Sequence, residues 1–268
     1  MVGGVVIAVG GAALIPVGLG SGFLVGLTGI GGGALLTPLL VFAGIDPLSA
    51  ISSDLVVSLL IKPVGGAVHA RRGTVHRALV GWLSLGSIPS AFFGAYLLHL
   101  AKNSGDLRLT LKHALGGALA LAVAGIVLRV VLERRGSFTT TATINTLPPV
   151  RRGPTVAVGV VGGLMVGLTS VGSGSLMIVA LMLLYPKIQN ATLVGTDLAQ
   201  AIPLVASAAL GHAFFGHIRF DIALPLLVGA IPAVYLGARC SSAGAGRWTR
   251  PVILTLLVAS SIQLLSSG

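Results

Sequence analysis

The sequence predicts an all-α polytopic membrane protein made of two homologous repeats, and three observations predict it. Of the 268 residues, 54% are hydrophobic and only 9% charged, where a soluble domain carries about 25% charged residues, and the mean hydropathy is +1.01. The apolar residues fall into runs close to the roughly 20 residues a helix needs to cross about 30 Å of hydrocarbon. Glycine-centred motifs of the first half return in the second at a nearly constant spacing.

The long apolar runs, read as spans, are 3–28, 48–70, 77–100, 110–132, 155–172, 190–215, 221–241 and 250–266. Two shorter runs, 33–43 and 174–185, each follow a glycine-rich interruption and are too short for routine crossings, so the expected total is about eight to ten segments. The start of the chain, Met1 to Pro16, has no Lys or Arg and reads as the retained beginning of the first span rather than a cleaved signal. No soluble domain is expected. Residues 133–154, rich in Thr, Arg and Pro, form a linker between a first transmembrane repeat (1–132) and a second (155–268). Arg134, Arg135, Arg151 and Arg152 argue that this linker is cytoplasmic.

The formal charge of +11 does not point to nucleic acid, because the basic residues cluster between apolar runs and only two Trp and three Tyr are present for base stacking. Cys240 is the single cysteine, so neither an intrachain disulfide nor a thiolate metal cluster is expected. If each half crosses an odd number of times, the basic clusters at 71–77 and 239–250 join the linker inside, and the halves are inverted. An even number would make them parallel and put 239–250 outside. Charge favours the inverted arrangement. A homo-oligomer is compatible with the sequence.

The duplication runs through the motifs. Gly26-Leu27-Thr28-Gly29-Ile30-Gly31-Gly32-Gly33 aligns with Gly167-Leu168-Thr169-Ser170-Val171-Gly172-Ser173-Gly174 at an offset of 141, and Ser53-Asp54-Leu55 with Thr196-Asp197-Leu198 at 143. The second offset also carries His69 to His212, Gly73 to Gly216, Gly86 to Gly229, Ile88-Pro89 to Ile231-Pro232 and Gly94 to Gly237. Paired halves of this kind are a transporter plan.

On the first glycine motif with Pro38 beyond it, on Ser52-Ser53-Asp54, on His69 with Gly73, and on their second-half partners, the chain resembles the sulfite exporter TauE/SafE family of membrane permeases over nearly its whole length. That resemblance implies transport of small anions, chiefly sulfite, sulfonates and related oxyanions, across the cytoplasmic membrane.

Consecutive glycines each cost about 1 kcal/mol relative to Ala in a helix interior, so helix should break at Gly29, Gly31, Gly32 and Gly33 and again from Ser170 to Ser175. Unpaired N–H groups at such breaks, and the helix N-termini that follow, can hold an anion inside a membrane. Thr28, Thr169, Ser170, Gly172, Ser173 and Gly174 complete the expected substrate site, with Ser52, Ser53 and Thr196 beside it, and the two breaks should face each other. Gly26, Gly86, Gly94 and their equivalents are expected instead to let helices pack closely.

Asp54 and Asp197 open apolar helices in this reading, either as N-terminal carboxylates facing the helix dipole or as proton-coupling groups. Lys62 has no counterpart, since the offset lands on Val205. Asp54, Ser58 and Lys62 share one helix face, and Lys62 either offers an anion one full charge or pairs and snorkels. His69, His212 and Gln200 are candidates for the same polar network or for hydrogen bonds between spans. His76 and His217 are expected in solvated loops. With no P-loop, dinucleotide fingerprint, HExxH or nucleophile motif, neither a cofactor, a metal nor an enzymatic activity is expected. The competing reading is a cation or metal carrier using Asp54, Asp197, His69 and His212.

Overall fold

A computed structural model describes residues 13–28, 33–71, 73–101, 107–134, 149–215, 218–241 and 246–266. Among these residues there is no strand. The helices are α1 (Leu14–Thr28), α2 (Gly33–Phe42), α3 (Pro47–Arg71), α4 (Arg77–Ala101) and α5 (Leu107–Arg134), then α6 (Arg152–Thr169), α7 (Leu176–Leu184), α8 (Asn190–Phe214), α9 (Phe220–Ser241) and α10 (Gly246–Ser266). Five stretches, within α4, α5, α6, α8 and α9, are long and apolar enough to cross a membrane. α3 is as long as α4 and α8 but carries Asp54 and Lys62.

The helix boundaries follow local chemistry. Asp46 accepts the Leu48 N–H at 3.1 Å just ahead of Pro47, the arrangement of an N-cap followed by a first-turn proline. His76 accepts the Leu79 N–H through Nδ1 at 3.1 Å and opens α4 in the same way. α2 ends where Gly44 turns to φ +84° and the Ile45 N–H returns to the Leu40 carbonyl, a glycine C-terminal stop.

Polar and apolar residues are distributed as in a membrane protein. Phe214 is 80% exposed and Leu210, Val228, Leu85 and Phe93 lie open on the outside, while Asp54, Ser52, Ser53, Thr196 and Gln200 are fully buried. In water an apolar exterior this continuous would drive association. Facing lipid it is expected, and buried polar groups inside such a bundle mark a functional path.

Glycine contacts set which helices pair and in what direction. Gly18 and Gly22 of α1 lie against the backbone of Leu226 and Ala230 on α9, and Gly237 lies against Phe23, so α1 and α9 run parallel. Gly159, Gly163 and Gly167 of α6 meet the backbone of Leu83, Ser87 and Ala91 on α4, so these two also run parallel. Gly86, Gly94, Gly229 and Gly237 sit in the same seams, where a missing side chain lets two backbones touch.

α8 follows α4, with Gln200 at Ser87 and Gly211 at Phe92 and Ala95. α3 runs against α8, since Thr74 just beyond α3 meets Gly195 near the start of α8. Gly116, early in α5, contacts Leu264 and Leu265 at the end of α10 and accepts the Ser261 hydroxyl, so this pair is antiparallel. Arg219 just ahead of α9 feels Asp46 just ahead of α3, and Arg129 late in α5 acts on Asp197 early in α8, so α1, α3, α5 and α9 run one way and α4, α6, α8 and α10 the other. α1 and α3 share a direction, and α2 returns the chain between them. α7 does the same between α6 and α8.

Candidate functional site

The chain leaves helix at Ser170 and re-enters it at Leu176. Ser170 has φ +59°, and Gly172 and Gly174 have φ +121° and +105°, values an L side chain adopts only at a cost. The expected second break is thus present, and residues 171–175 within it are all buried. Of the first break, Gly33 is the opening residue of α2. Gly29, Gly31 and Gly32 lie outside the described residues, as do the side chains of Thr28 and His69. A Cβ at Gly33 would strike the Ser170 carbonyl and also reach Asp54 Oδ2, so the start of α2 rests directly on the second break.

Three charged side chains are gathered along this contact. Asp54 Oδ2 accepts hydrogen bonds from Ser170 at 2.5 Å and Thr37 at 3.0 Å, and Ser58 reaches Oδ1 at 3.5 Å. Lys62 lies eight positions beyond Asp54, about 12 Å further along α3, and donates through Nζ to Ser173 Oγ at 2.6 Å. Its charge acts on both Asp54 and Asp197. Asp197 accepts the Gly174 N–H and feels Lys62 and Arg129. Segment 170–174 therefore runs from Asp54 past Lys62 to Asp197, touching a charged side chain at Ser170, Ser173 and Gly174.

Asp54 and Asp197 do not open their helices. Each sits about two turns in, beyond reach of the first-turn N–H groups, and Asp46 is the capping carboxylate of α3. Both are buried, and they are held by side chains and backbone of the break instead. The short spacing from Ser52 and Ser53 to an apolar run suggests a cap, but the helix begins earlier, at Pro47.

The remaining candidates divide. Gln200 donates through Nε2 to Ser87 Oγ at 2.5 Å, bridging α8 and α4. His212 shares a hydrogen bond with the Gly167 carbonyl at 3.0 Å, bridging α8 and α6. Thr169 closes the end of α6, donating to Met165 O and accepting the Val171 N–H. Thr196 accepts the His76 N–H at 3.0 Å and so ties α8 to the α3–α4 connection. Ser52 bonds the Ser49 carbonyl on its own helix, and Ser53 is buried with an unpartnered hydroxyl. His76 sits in the α3–α4 connection as expected, partly exposed, and also caps α4.

Thr37, Ser87 and Arg129 join the network without having been singled out from sequence. Thr37 is a lone hydroxyl in a nine-tenths apolar helix, one turn from Gly33, which was the available signal. Arg129 lies late in α5, and its charge reaches Asp197 from there. Among the described residues no group of three or more His, Cys, Asp or Glu could hold a metal ion.

The sequence profile of the sulfite exporter TauE/SafE family matches residues 14–264. The chain is 39% identical over 264 residues to the "Probable membrane transporter protein YjnA" of Bacillus subtilis (strain 168), covering 94% of this chain and 99% of that protein. Two further Bacillus subtilis proteins are more distant. "Probable membrane transporter protein YdhB" is 24% identical, covering 81% of this chain and 85% of that protein. "Probable membrane transporter protein YunE" is 25% identical, covering 95% and 97%. No solved structure gives a significant match. With its apolar exterior and membrane-length helices, the chain belongs to the sulfite exporter TauE/SafE family and is a multi-pass membrane transporter.

Proposed function

We propose that the protein is a secondary transporter of a small anion, a sulfur oxyanion such as sulfite or an organosulfonate, bound where the start of α2 rests on the break at 170–175. The observation that carries this reading is Lys62, whose ammonium donates to Ser173 inside the break while Asp54 and Asp197 accept from its other donors. The protein's own carboxylates thus occupy donors of the kind an oxyanion needs. Ser170 and the Gly174 N–H already bind carboxylate oxygen, and backbone N–H with hydroxyl donors suits sulfite equally well. A cation would instead compete with a tethered ammonium for the same two carboxylates, which disfavours the alternative.

The helix directions support inverted repeats. α1 and α6, α3 and α8, α4 and α9, and α5 and α10 occupy matching places in the two halves and run oppositely, so each half makes an odd number of crossings. The face bearing the linker then also carries the basic clusters around Arg71, Lys187 and Arg247. The opposite face keeps the start of α5, which carries Arg108 and Lys112, and Arg219 together with Asp46 and Asp221. That bias favours a cytoplasmic linker. Because α1 is seamed to α9 and α4 to α6, the bodies that rock during alternating access are these cross-half assemblies, meeting at α3 and α8, rather than the two halves themselves.

The test is flux in proteoliposomes of the full chain, using sulfite, thiosulfate and methanesulfonate beside sodium and potassium. Wild type should pass at least one anion, and Lys62→Met should lose that flux at unchanged expression and melting temperature. Cation flux without any anion flux would refute the reading.

A further inference from the structure

Asp54 and Asp197 hold equivalent positions in the duplication, yet their surroundings are not equivalent. Both oxygens of Asp54 have hydroxyl donors, from Ser170, Thr37 and Ser58. Asp197 is 1% exposed, and its Oδ1 is buried with no hydrogen-bond partner. Three positions on, Gln200 is fully buried, and its Oε1 is likewise unpartnered because Nε2 is taken by Ser87. Residues at this spacing share a helix face. Two buried acceptors without a donor are costly, and a single proton on Asp197 supplies what both lack.

We infer that Asp197, and not Asp54, is the group that takes up and releases a proton during transport. The inference rests on the anion reading above and assigns its coupling. The structural reason is written in the departures from the duplication. Gln200 corresponds to Val57, Ser58 to Ala201 and Lys62 to Val205, so one carboxylate gained hydroxyl donors and the other a facing amide oxygen.

The charges around Asp197 set the sign of the coupling. α3 presents Lys62 with Asp54 behind it and ends at Arg71, and α5 presents Arg129. α4 brings Arg77 at its exposed start and His99 in its last turn, while the backbone N–H of His76 binds the neighbouring Thr196. α6 offers only Arg152, which lies over the Trp82 ring, and α7 no ionisable side chain. Lys62 favours ionised Asp197. An anion that docks on the Lys62 ammonium cancels that influence, so Asp197 binds a proton more readily. Protonation in turn weakens its hold on the Gly174 N–H and frees that donor for the anion. Anion and proton therefore load together and cross in the same direction.

The experiment is infrared difference spectroscopy of the full-length protein in lipid between alkaline and mildly acidic pH, following the C=O stretch of a protonated carboxyl. Glu and Asp carbonyls absorb at different frequencies, so Asp197→Glu should move the band and Asp54→Glu should leave it in place. Gln200→Leu removes the acceptor facing the acid and should shift the band upward, which keeps the idea testable if Asp197→Glu does not fold. A band that moves in Asp54→Glu, or one that stays in place in Gln200→Leu and in a folded Asp197→Glu, overturns the assignment. Anion flux by the wild type is measured on the same preparation. Absence of flux for sulfite, thiosulfate and methanesulfonate alike would count against the anion reading whichever carboxyl titrates.

Discussion

Ser170 combines two properties that substitution can separate. Its hydroxyl donates to buried Asp54 at 2.5 Å, and its backbone stands at φ +59°, ψ −5°. A hydrogen bond to a charged group contributes about 1.5–3 kcal/mol, whereas left-handed backbone costs a non-glycine residue about 1–2 kcal/mol. Ser170→Ala loses the bond and keeps the strain, so it should be destabilised by about 1.5–3 kcal/mol. Ser170→Gly loses the same bond and is relieved of the strain, so it should be less destabilised by about 1 kcal/mol. For a chain of this size that difference is about 2–4 °C in melting temperature. At an offset of 141 residues the sequence has glycine at the matching position, Gly29. Thermal melts in one detergent, followed by Trp82 and Trp248 fluorescence, should rank wild type above Ser170→Gly and Ser170→Ala last. If the alanine variant melts at or above the glycine variant, the turn at Ser170 is not left-handed, and if both melt with wild type, the bond to Asp54 contributes nothing.

Two further expectations follow from the helix seams. Gly163→Ala drives a methyl into the Ser87 backbone and should cost about 1–3 kcal/mol. Its neighbour Gly162→Ala meets only the flexible end of Met177 and gains up to about 1 kcal/mol of helix propensity, so melts of the two variants should move in opposite directions. In a chain with Cys240 replaced, a short bismaleimide joining Trp82→Cys to Arg152→Cys within the α4–α6 assembly should leave anion flux intact. The same reagent joining Thr74→Cys to Gly195→Cys across α3 and α8 should stop it. Flux surviving the second link and lost with the first would mean that the halves themselves are the moving bodies.

Much of the fold was legible because membrane solvation imposes it. Backbone groups in hydrocarbon must be satisfied within the segment, so run length alone located α2 to α10 and the end of α1 to within a few residues, the expected start of the first span lying outside the described residues, and glycine tracts located the second break. Connectivity in space was not legible. Nothing in Gly18, Gly22 or Gly163 names the helix it will touch, because a missing side chain permits close approach without choosing a partner. Hence the pairing of α1 with α9 and of α4 with α6 across the duplication had no signature in the residues.

At the site, rarity was the usable signal. Asp54, Asp197, Lys62 and Gln200 stood out because each is expensive inside an apolar span, and the structure brings Asp54, Asp197 and Lys62 to one segment of irregular backbone. What the residues could not give was depth along the helix. Reading Asp54 and Asp197 as helix openers treated Ser53 and Thr196 as boundary residues, whereas Asp46-Pro47 starts α3 two turns earlier. That displacement matters chemically. At the first turn a carboxylate is satisfied by N–H groups of its own helix, and nothing that happens across the molecule alters its charge. Two turns in, it draws its closest donors from other elements: Asp54 from α2 and the second break, with Ser58 of its own helix further off, and Asp197 from Gly174. The protonation of these carboxylates is thereby tied to the position of the very backbone on which a substrate would rest, and this is the physical basis on which charge movement and conformational change can be coupled in so small a bundle.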